Sequence, residues 1–418
     1  MAYKLRNVIM TEIAPNYVNE FNCLGSECSD TCCQGWNINI DKNTHDKYQK
    51  LELEGINNVN DFLNVWDKPT KKAYSAIKMK KNGYCPFLSK DKLCGIQKKY
   101  GENYLSQTCN RFPRREIDFI TNKFVTLKLA CPEAARLCLS SKDSMNIVED
   151  KLYSKKSISV VTKEYKNGVT QSGELILNKF YKLLQNKNIN YINSLVIIHK
   201  LLDEQNFISL NLNKFEDIYN FYYQEFYKTE IVAFDNSYIK LSLLEDLIPF
   251  LEEEKKILAK YSIQTGKFFE LMTSAYEELI ERFDNPDGAA ENFNLINDRY
   301  VSKFENKNKH ILRNFLLNEI LGYSQIFTCP TPPCRNKLYI TLLETAIIKL
   351  LITARCSKEQ RIPTLDDYID IVYNVDKSNG IFIDVYPGNE FYIKKPVKEI
   401  IDKIDSNSIF NSVIFLCS

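Results

Sequence analysis

Residues 21–36 read FNCLGSECSDTCCQGW and place Cys23, Cys28, Cys32 and Cys33 within eleven positions. Cys85, Cys94, Cys109, Cys131 and Cys138 follow before residue 140, so only four of the thirteen cysteines lie in the rest of the chain. Thiols this dense call for a common partner, and their confinement to one end divides the sequence. The expected architecture is mostly α (α+β): a small cysteine-rich α+β metal module over residues 1–140, then an α-helical domain over 141–418.

A chain of 418 residues has room for two or three domains. Its formal charge of +2 supplies no global attraction for nucleic acid or an anionic membrane, and neither is expected as a partner. The opening MAYKLRNVIMTEIAPNYVNE lacks the continuous apolar core of a signal peptide. Leu338 to Thr353, the most apolar long run, is broken by Glu344 and Lys349 and falls short of the roughly 20 residues that span a bilayer. A cytoplasmic protein is expected. In that reducing compartment, and with an odd count of cysteines, a disulfide framework is not. The thiols are then ligands of a metal or cluster, or small hydrophobes of a core. The core reading is assigned to Cys138, Cys356 and Cys417.

Periodicity locates the elements. WNINI (36–40) alternates Trp36, Ile38 and Ile40 with asparagine, as a half-buried strand does. EIDFITNKFVTLKLAC (116–131) predicts a hairpin turning near Thr121-Asn122, with Val125, Leu127 and Leu129 on one face. From about residue 170 the pattern is helical. Phe268, Met272, Ala275, Leu279 and Phe283 keep a 3-4 spacing, as do Ile311, Leu312, Phe315, Leu316 and Ile320. Pro249 is expected to break or kink the helix that starts near Leu241. The prolines of CPTPPC (329–334) mark a boundary between two helices. Phe215, Tyr219, Tyr222 and Phe226 fall at helical spacing and read as packing core, with an aromatic substrate groove as the functional alternative.

Local geometry gives several cysteines neighbours. Cys28 and Cys32 share a face if 28–33 is a helical turn. In CPFLSKDKLC (85–94) a turn at Ser89-Lys90 sets Cys85 opposite Cys94, with Cβ atoms about 4.5–5.5 Å apart. Cys131 precedes Pro132, which suits the first position of a helix, so the positive end of a helix dipole falls on its sulfur. Cys109 lies among Arg111, Arg114 and Arg115, which also favour a thiolate. Crowded thiolates repel one another unless a cation or cluster neutralises them, and histidine-poor thiolate sites select zinc or iron–sulfur. His45, His199 and His310 are the chain's three histidines. The paired CxxC knuckles of a zinc ribbon are absent. The spacings C-x4-C-x3-CC, C-x8-C and C-x14-C suit a cluster gathered from several loops.

FNCLGSECSDTCCQGWNINID, CPFLSKDKLCGIQKKYGENYLSQTCNRFPR and LKLACPEAARLCL together resemble the flagellin lysine-N-methylase family, part of a broader group of cysteine-cluster proteins marked by a CxxCxxCC-like motif. The resemblance covers roughly residues 17–140 and rests on order, spacing and intervening residues. KHILRNFLLNEILGYSQIF (309–327) is a weaker echo. The resemblance implies an S-adenosylmethionine-dependent N-methyltransferase acting on surface lysine ε-amino groups of flagellin, with a [4Fe-4S] cluster; zinc is the alternative metal. Matched position by position, the motif picks out Cys23, Cys28, Cys32, Cys33, Cys85, Cys94, Cys109 and Cys131 as metal ligands. The first motif here, C-x4-C-x3-CC, is wider than that of the broader group. Eight candidates also exceed the four cysteines that one cluster takes.

Methyl transfer needs a bound sulfonium donor, a deprotonated amine and in-line approach. No GxGxG or GxGxxG occurs, so a Rossmann-type donor site is not expected. The alternative is an iron left open by a cluster with three cysteine ligands, which would chelate the donor's amino and carboxylate groups. Gly35 stands where a third cysteine would complete C-x3-C-x2-C, so radical chemistry is not expected. NRFPRR (110–115) offers arginines to a carboxylate or phosphate. Lys68, Lys71, Lys72, Lys78, Lys80 and Lys81 offer a docking face or a solvated surface. Glu102 and Tyr104 are candidates to orient or deprotonate the amine; catalytic and donor-binding residues stay unassigned. The competing functions are a non-catalytic zinc- or iron-binding cysteine protein and a redox protein that cycles electrons through its cluster.

Overall fold

The computed structural model describes residues 11–35, 38–118, 122–147, 169–203, 212–227, 237–260, 266–322, 333–386 and 390–405. Short elements alternate in the first part: β1 (Thr11–Ile13), α1 (Asn16–Glu20), β2 (Asn39–Ile40), α2 (Lys42–Tyr48), β3 (Leu63–Val65) and β4 (Ser75–Ile77). They continue with α3 (Gly95–Tyr100), α4 (Gln107–Arg111), β5 (Arg114–Asp118), β6 (Asn122–Leu127) and α5 (Pro132–Ser140). Helices then dominate: α6 (Val169–Gln185), α7 (Tyr191–Asp203), α8 (Leu212–Phe226), α9 (Ser237–Lys260) and α10 (Gly266–Tyr276). After them come α11 (Pro286–Ile296), α12 (Ser302–Glu305), α13 (His310–Gly322), α14 (Pro333–Glu359) and α15 (Leu365–Ser378). The pair β7 (Ile383–Tyr386) and β8 (Glu390–Ile393) precedes α16 (Lys395–Asp405). The chain is mostly α with small sheets, as its periodicity predicts. Among the described residues no helix is long and apolar enough to cross a membrane.

Two hydrophobic cores form. The larger lies among the helices and also takes Ala14, Tyr17, Val18 and Phe21 from one end of the 1–140 segment and Ile117, Phe124, Val125, Leu127 and Leu137 from the other. The smaller is built from Ile38, Ile40, Tyr48, Leu51, Val59, Ile77, Phe87 and Ile96, with Cys85 inside it and Cys33, Cys94 and Cys109 packed against it. The cysteine-bearing segment therefore straddles two cores.

In the first sheet β1 runs parallel to β6, and β5 pairs antiparallel with β6 from Arg114↔Leu127 to Asp118↔Lys123. The predicted hairpin forms, with Asn122 inside the strand rather than in the turn. Phe124 to Leu127 are all buried, where a hairpin with one wet face would alternate. In the second sheet β4 lies between β2 and β3, both antiparallel to it. Ile38 and Ile40 are buried while Asn39 is exposed, the alternation read from WNINI.

Pro249 does not break α9, which runs on to Lys260. Burial of Leu247, Phe250 and Leu251 on the apolar face outweighs the roughly 3 kcal/mol that an interior proline costs. The expected boundary between two helices is present: α13 ends at Gly322 and α14 starts at Pro333, a proline in the first turn where its missing N–H costs nothing. Cys329 and Cys417 lie outside the described residues. Phe215 and Phe226 are buried, and Tyr219, Tyr222, Tyr223 and Tyr227 pack half-buried on the larger core, so the aromatic stripe of α8 is a packing face.

Candidate metal centre

The backbone of 33–35 lies antiparallel to 83–85. The Cys85 N–H donates to the Cys33 carbonyl at 2.7 Å and the Gly35 N–H to Gly83 at 3.1 Å. This sets Cys33 beside Cys85, and their thiols hydrogen-bond; Cys33 also bonds Cys32. The expected pairing of Cys85 with Cys94 across a hairpin is not formed. Cys94 bridges to Leu88 instead. The reversal lies beyond Ser89, whose N–H and hydroxyl both donate to the Leu93 carbonyl, at 2.9 and 2.6 Å. Lys92 takes a left-handed φ of 62° to close it. A partner fifty residues away, rather than the local turn, decides where Cys85 points.

Residues 28–33 are not a helical turn either. A 3-10 turn over Gly25–Glu27 ends in extended backbone at Cys28. The Asp30 carboxylate then accepts the Thr31 N–H at 2.7 Å, and the Thr31 hydroxyl accepts the Cys33 N–H at 3.1 Å. These side chains offer the backbone a local alternative that competes with helix.

Three cysteines sit at helix starts. Cys94 is the residue before α3; its side chain makes no capping hydrogen bond, but the nearby N–H groups of Gln97 and Ile96 favour its thiolate. Cys131 holds the same place before α5, with Pro132 at the first position as the sequence predicts; its side chain makes no capping hydrogen bond, but the nearby N–H groups of Ala134 and Glu133 favour its thiolate. Cys109 lies in the first turn of α4, where Ser106 caps its N–H at 3.1 Å. That helix is fixed by the Ser106 N–H on Tyr48 Oη at 3.0 Å and by Thr108 Oγ1 on the Asn39 carbonyl at 2.9 Å. The arginines near Cys109 in sequence turn elsewhere. Arg111 and Arg114 are exposed, Arg114 lies over the Phe21 ring, and Arg115 enters an internal ion pair.

Burial pushes Cys109 and Cys131 up to about 12, against the neighbouring donors that favour their thiolates. The expected lowering of the Cys131 pKa by the helix start is therefore outweighed. Cys32 is raised far above the ordinary thiol range by its hydrogen bond to Cys33 and by burial of its sulfur. Cys33 is raised too: its bond to Cys32 lowers it, but the bond to Cys85, burial and repulsion by Cys85 and Cys94 win. The field around Cys109 includes Cys94 and Cys32, and that around Cys131 includes Cys28 and Cys23. Cys33, Cys85, Cys94 and Cys109 thus gather on the small core, with the exposed residue Cys32 bonded to Cys33 at its edge. Cys131 belongs to the larger core, and the exposed Cys23 and half-buried Cys28 lie close enough to repel it, as Cys28 and Cys32 repel each other. Such thiols keep their protons until a soft cation replaces them. Among the described residues no three His, Cys, Asp or Glu side chains close on a single ion.

Cys138 and Cys356 are core residues, as expected. The Cys138 sulfur lies 3.9 Å from Met145 Sδ and 3.8 Å from the Asn314 carbonyl, and Cys356 is buried in α14. Glu102 and Tyr104 are exposed, and the Glu102 carbonyl accepts from Asn110. The six lysines from Lys68 to Lys81 are all exposed.

The residues that sequence reading missed come from α15. Lys377 Nζ lies 2.6 Å from Asp30 Oδ2 and 2.7 Å from Tyr373 Oη, and Tyr373 donates to the same carboxylate. Burial opposes ionisation of Asp30, but Lys377 and Tyr373 outweigh it and hold the carboxyl below its usual range. Their signal was Tyr373, Asp376 and Lys377 at i, i+3 and i+4 in the last turns of an amphipathic helix.

The model of the FliB lysine N-methylase C-terminal domain matches residues 177–381. The chain is 36% identical over 155 residues to the flagellar biosynthetic protein FliU of Salmonella muenchen, covering 37% of this chain and 90% of FliU. It is 35% identical over 146 residues to the lysine-N-methylases of Salmonella choleraesuis and Salmonella typhimurium, covering 35% of this chain and 36% of each relative. It thus spans about a third of the length of those two methylases. No solved structure matches the chain.

Proposed function

Because the chain belongs to the FliB lysine N-methylase family, we propose that it N-methylates lysine side chains of flagellin in the cytoplasm, with S-adenosylmethionine as donor. The observation that carries the activity is the FliB domain match over 177–381, joined to relatives named lysine-N-methylase. In the transfer the donor's sulfur–methyl bond breaks as the nitrogen–methyl bond forms, and the amine proton leaves to a base.

We further propose that the amino-terminal cysteines hold a [4Fe-4S] cluster. The donor set fits in its chemistry: soft thiols, no histidine, several chain segments. Eight thiols from several chain segments, more than the four that a single zinc takes, suit a polynuclear cluster better. Cys32, Cys33, Cys85, Cys94 and Cys109 are the ligands we assign first, with Cys23, Cys28 and Cys131 as the adjoining set. Bound there, the group supplies Lewis-acidic iron and a rigid cross-link between segments. The chain's own part is to aim helix-start N–H groups at the sulfurs, which stabilises their negative charge.

The test is anaerobic purification, iron per chain, calorimetry with S-adenosylmethionine, and mass spectrometry of flagellin incubated with donor. Lysine-bound methyl groups are expected on flagellin, and Cys33→Ser or Cys85→Ser is expected to lower both iron and methylation. A folded, iron-loaded chain that binds no donor supports a non-catalytic cysteine protein instead. One that binds donor but leaves flagellin unmodified overturns the substrate.

A further inference from the structure

The last turn of α15 grips two separate segments. On one side Lys377 and Tyr373 hold the Asp30 carboxylate, and Asp30 lies between Cys28 and Cys32. On the other side Asp376 Oδ2 accepts the backbone N–H of Ala130 at 2.5 Å, one residue before Cys131. The Tyr373 side chain lies in the field of both Cys28 and Cys131. Helix α15 also packs along α5, whose first turn Cys131 precedes.

The energetics of these contacts suit registration better than stability. The Lys377–Asp30 pair keeps 22% and 32% of its side-chain exposure, and pairs this wet contribute little to folding. Asp376 is buried beside Glu319, and the two carboxylates share one guanidinium, Arg115, at 3.5 and 2.9 Å. Burial and the Glu319 charge act against its ionisation. Arg115 and Lys128 act for it; a buried arrangement that costs this much solvation does little for stability, and what it yields is a fixed acceptor for the Ala130 N–H.

We infer that this turn is a clasp: Tyr373, Asp376 and Lys377 are positioning residues that hold the Cys28 loop and the Cys131 helix start in one register, so that the adjoining cysteine set is formed before any metal arrives. The functional consequence rests on the proposed cluster; the clasp itself is a property of the metal-free chain and is tested there.

The full-length, metal-free chain is alkylated briefly with iodoacetamide without oxygen, and each cysteine is mapped by mass spectrometry. In Lys377→Met and Asp30→Asn, alkylation of Cys28 and Cys131 is expected to accelerate about five- to tenfold, as an opening that a partly buried contact had suppressed becomes populated. The rate at Cys356, which lies in α14 beside the other end of α15, near Asp367, should stay unchanged. The reversed pair, Asp30→Lys with Lys377→Asp, should restore slow alkylation, and iron uptake on reconstitution should fall and recover in step. Asp376→Ala, which removes the acceptor of the Ala130 N–H, should release Cys131; if that variant fails to fold, the Asp30 arm alone decides. Unchanged rates at Cys28 and Cys131 in both single variants overturn the clasp. So does acceleration that extends equally to Cys356 and is not restored by the reversed pair. If the wild type takes up no iron while its thiol rates still respond, the cluster reading fails and the clasp stands.

Discussion

At Gly322 a Cβ would lie 2.4 Å from Arg115 Nη1 and 3.1 Å from Thr126 Oγ1. The glycine leaves room for the guanidinium to reach Glu319 with both Nη atoms, at 2.9 and 3.4 Å. Glu319 has no exposed side-chain surface and Arg115 keeps 9%. Arg115→Met, which strands a buried carboxylate, is expected to cost about 3–5 kcal/mol in urea unfolding. Gly322→Ala, which displaces the arginine without deleting it, should cost less, about 1–3 kcal/mol. A neutral Gly322→Ala would show that the arginine moves freely. NRFPRR had announced an arginine suited to a carboxylate, and that chemistry was legible. The carboxylate is the chain's own, 204 residues away, and no local pattern carries that.

Among elements, α15 begins with a reciprocal cap. The Thr364 N–H and hydroxyl donate to Asp367 at 2.7 and 2.8 Å, and Thr364 Oγ1 accepts the Asp367 N–H at 3.3 Å. Thr364→Ala is expected to lower stability by about 1 kcal/mol, read as a shift in urea midpoint. Burial would raise the Asp367 pKa, but Arg361, Thr364 and Arg355 outweigh it and hold the carboxyl well below its usual range. A depressed folded-state pKa contributes stability that is complete above the unfolded value of about 4 and fades as pH falls below it. The midpoints of wild type and Asp367→Asn should therefore lie apart at neutral pH and converge in acid; a constant gap would remove Asp367 from the account. The helices α5, α10 and α13 were legible because their signals are local: Pro132 at a first turn, and apolar residues at 3-4 spacing. The turn at 28–33 and the facing of Cys85 were not. Asp30 and Thr31 divert the first, and a backbone bond to Cys33 decides the second.

For the whole molecule, the two cores set the order of unfolding. The small core between Ile38 and Ile96 has few members, and the cysteines packed on it carry raised pKa values that a metal would relieve. The flanks, Ala14 to Phe21 and Ile117 to Leu139, belong to the helical body. Because ligand binding to such a site would also be folding free energy, removal of the proposed metal should expose residues 23–109 to protease first, while α10 to α15 resist. Mapping early cleavage sites before and after chelation checks this, and equal cleavage in both regions would count against it.

The contact between Asp30 and Lys377 spans 347 positions of chain. At roughly 5–20 residues per second, a ribosome makes the second partner on the order of 20–70 s after the first. Throughout that interval the earliest cysteines stand in the cell without the helix that holds their loop, open to oxidants and stray metals. The proposed cluster would then be delivered after translation, and nascent chains stalled before α15 should label at Cys28 as fast as the Lys377→Met variant does. Slow labelling of such stalled chains would mean that the amino-terminal half protects its thiols unaided.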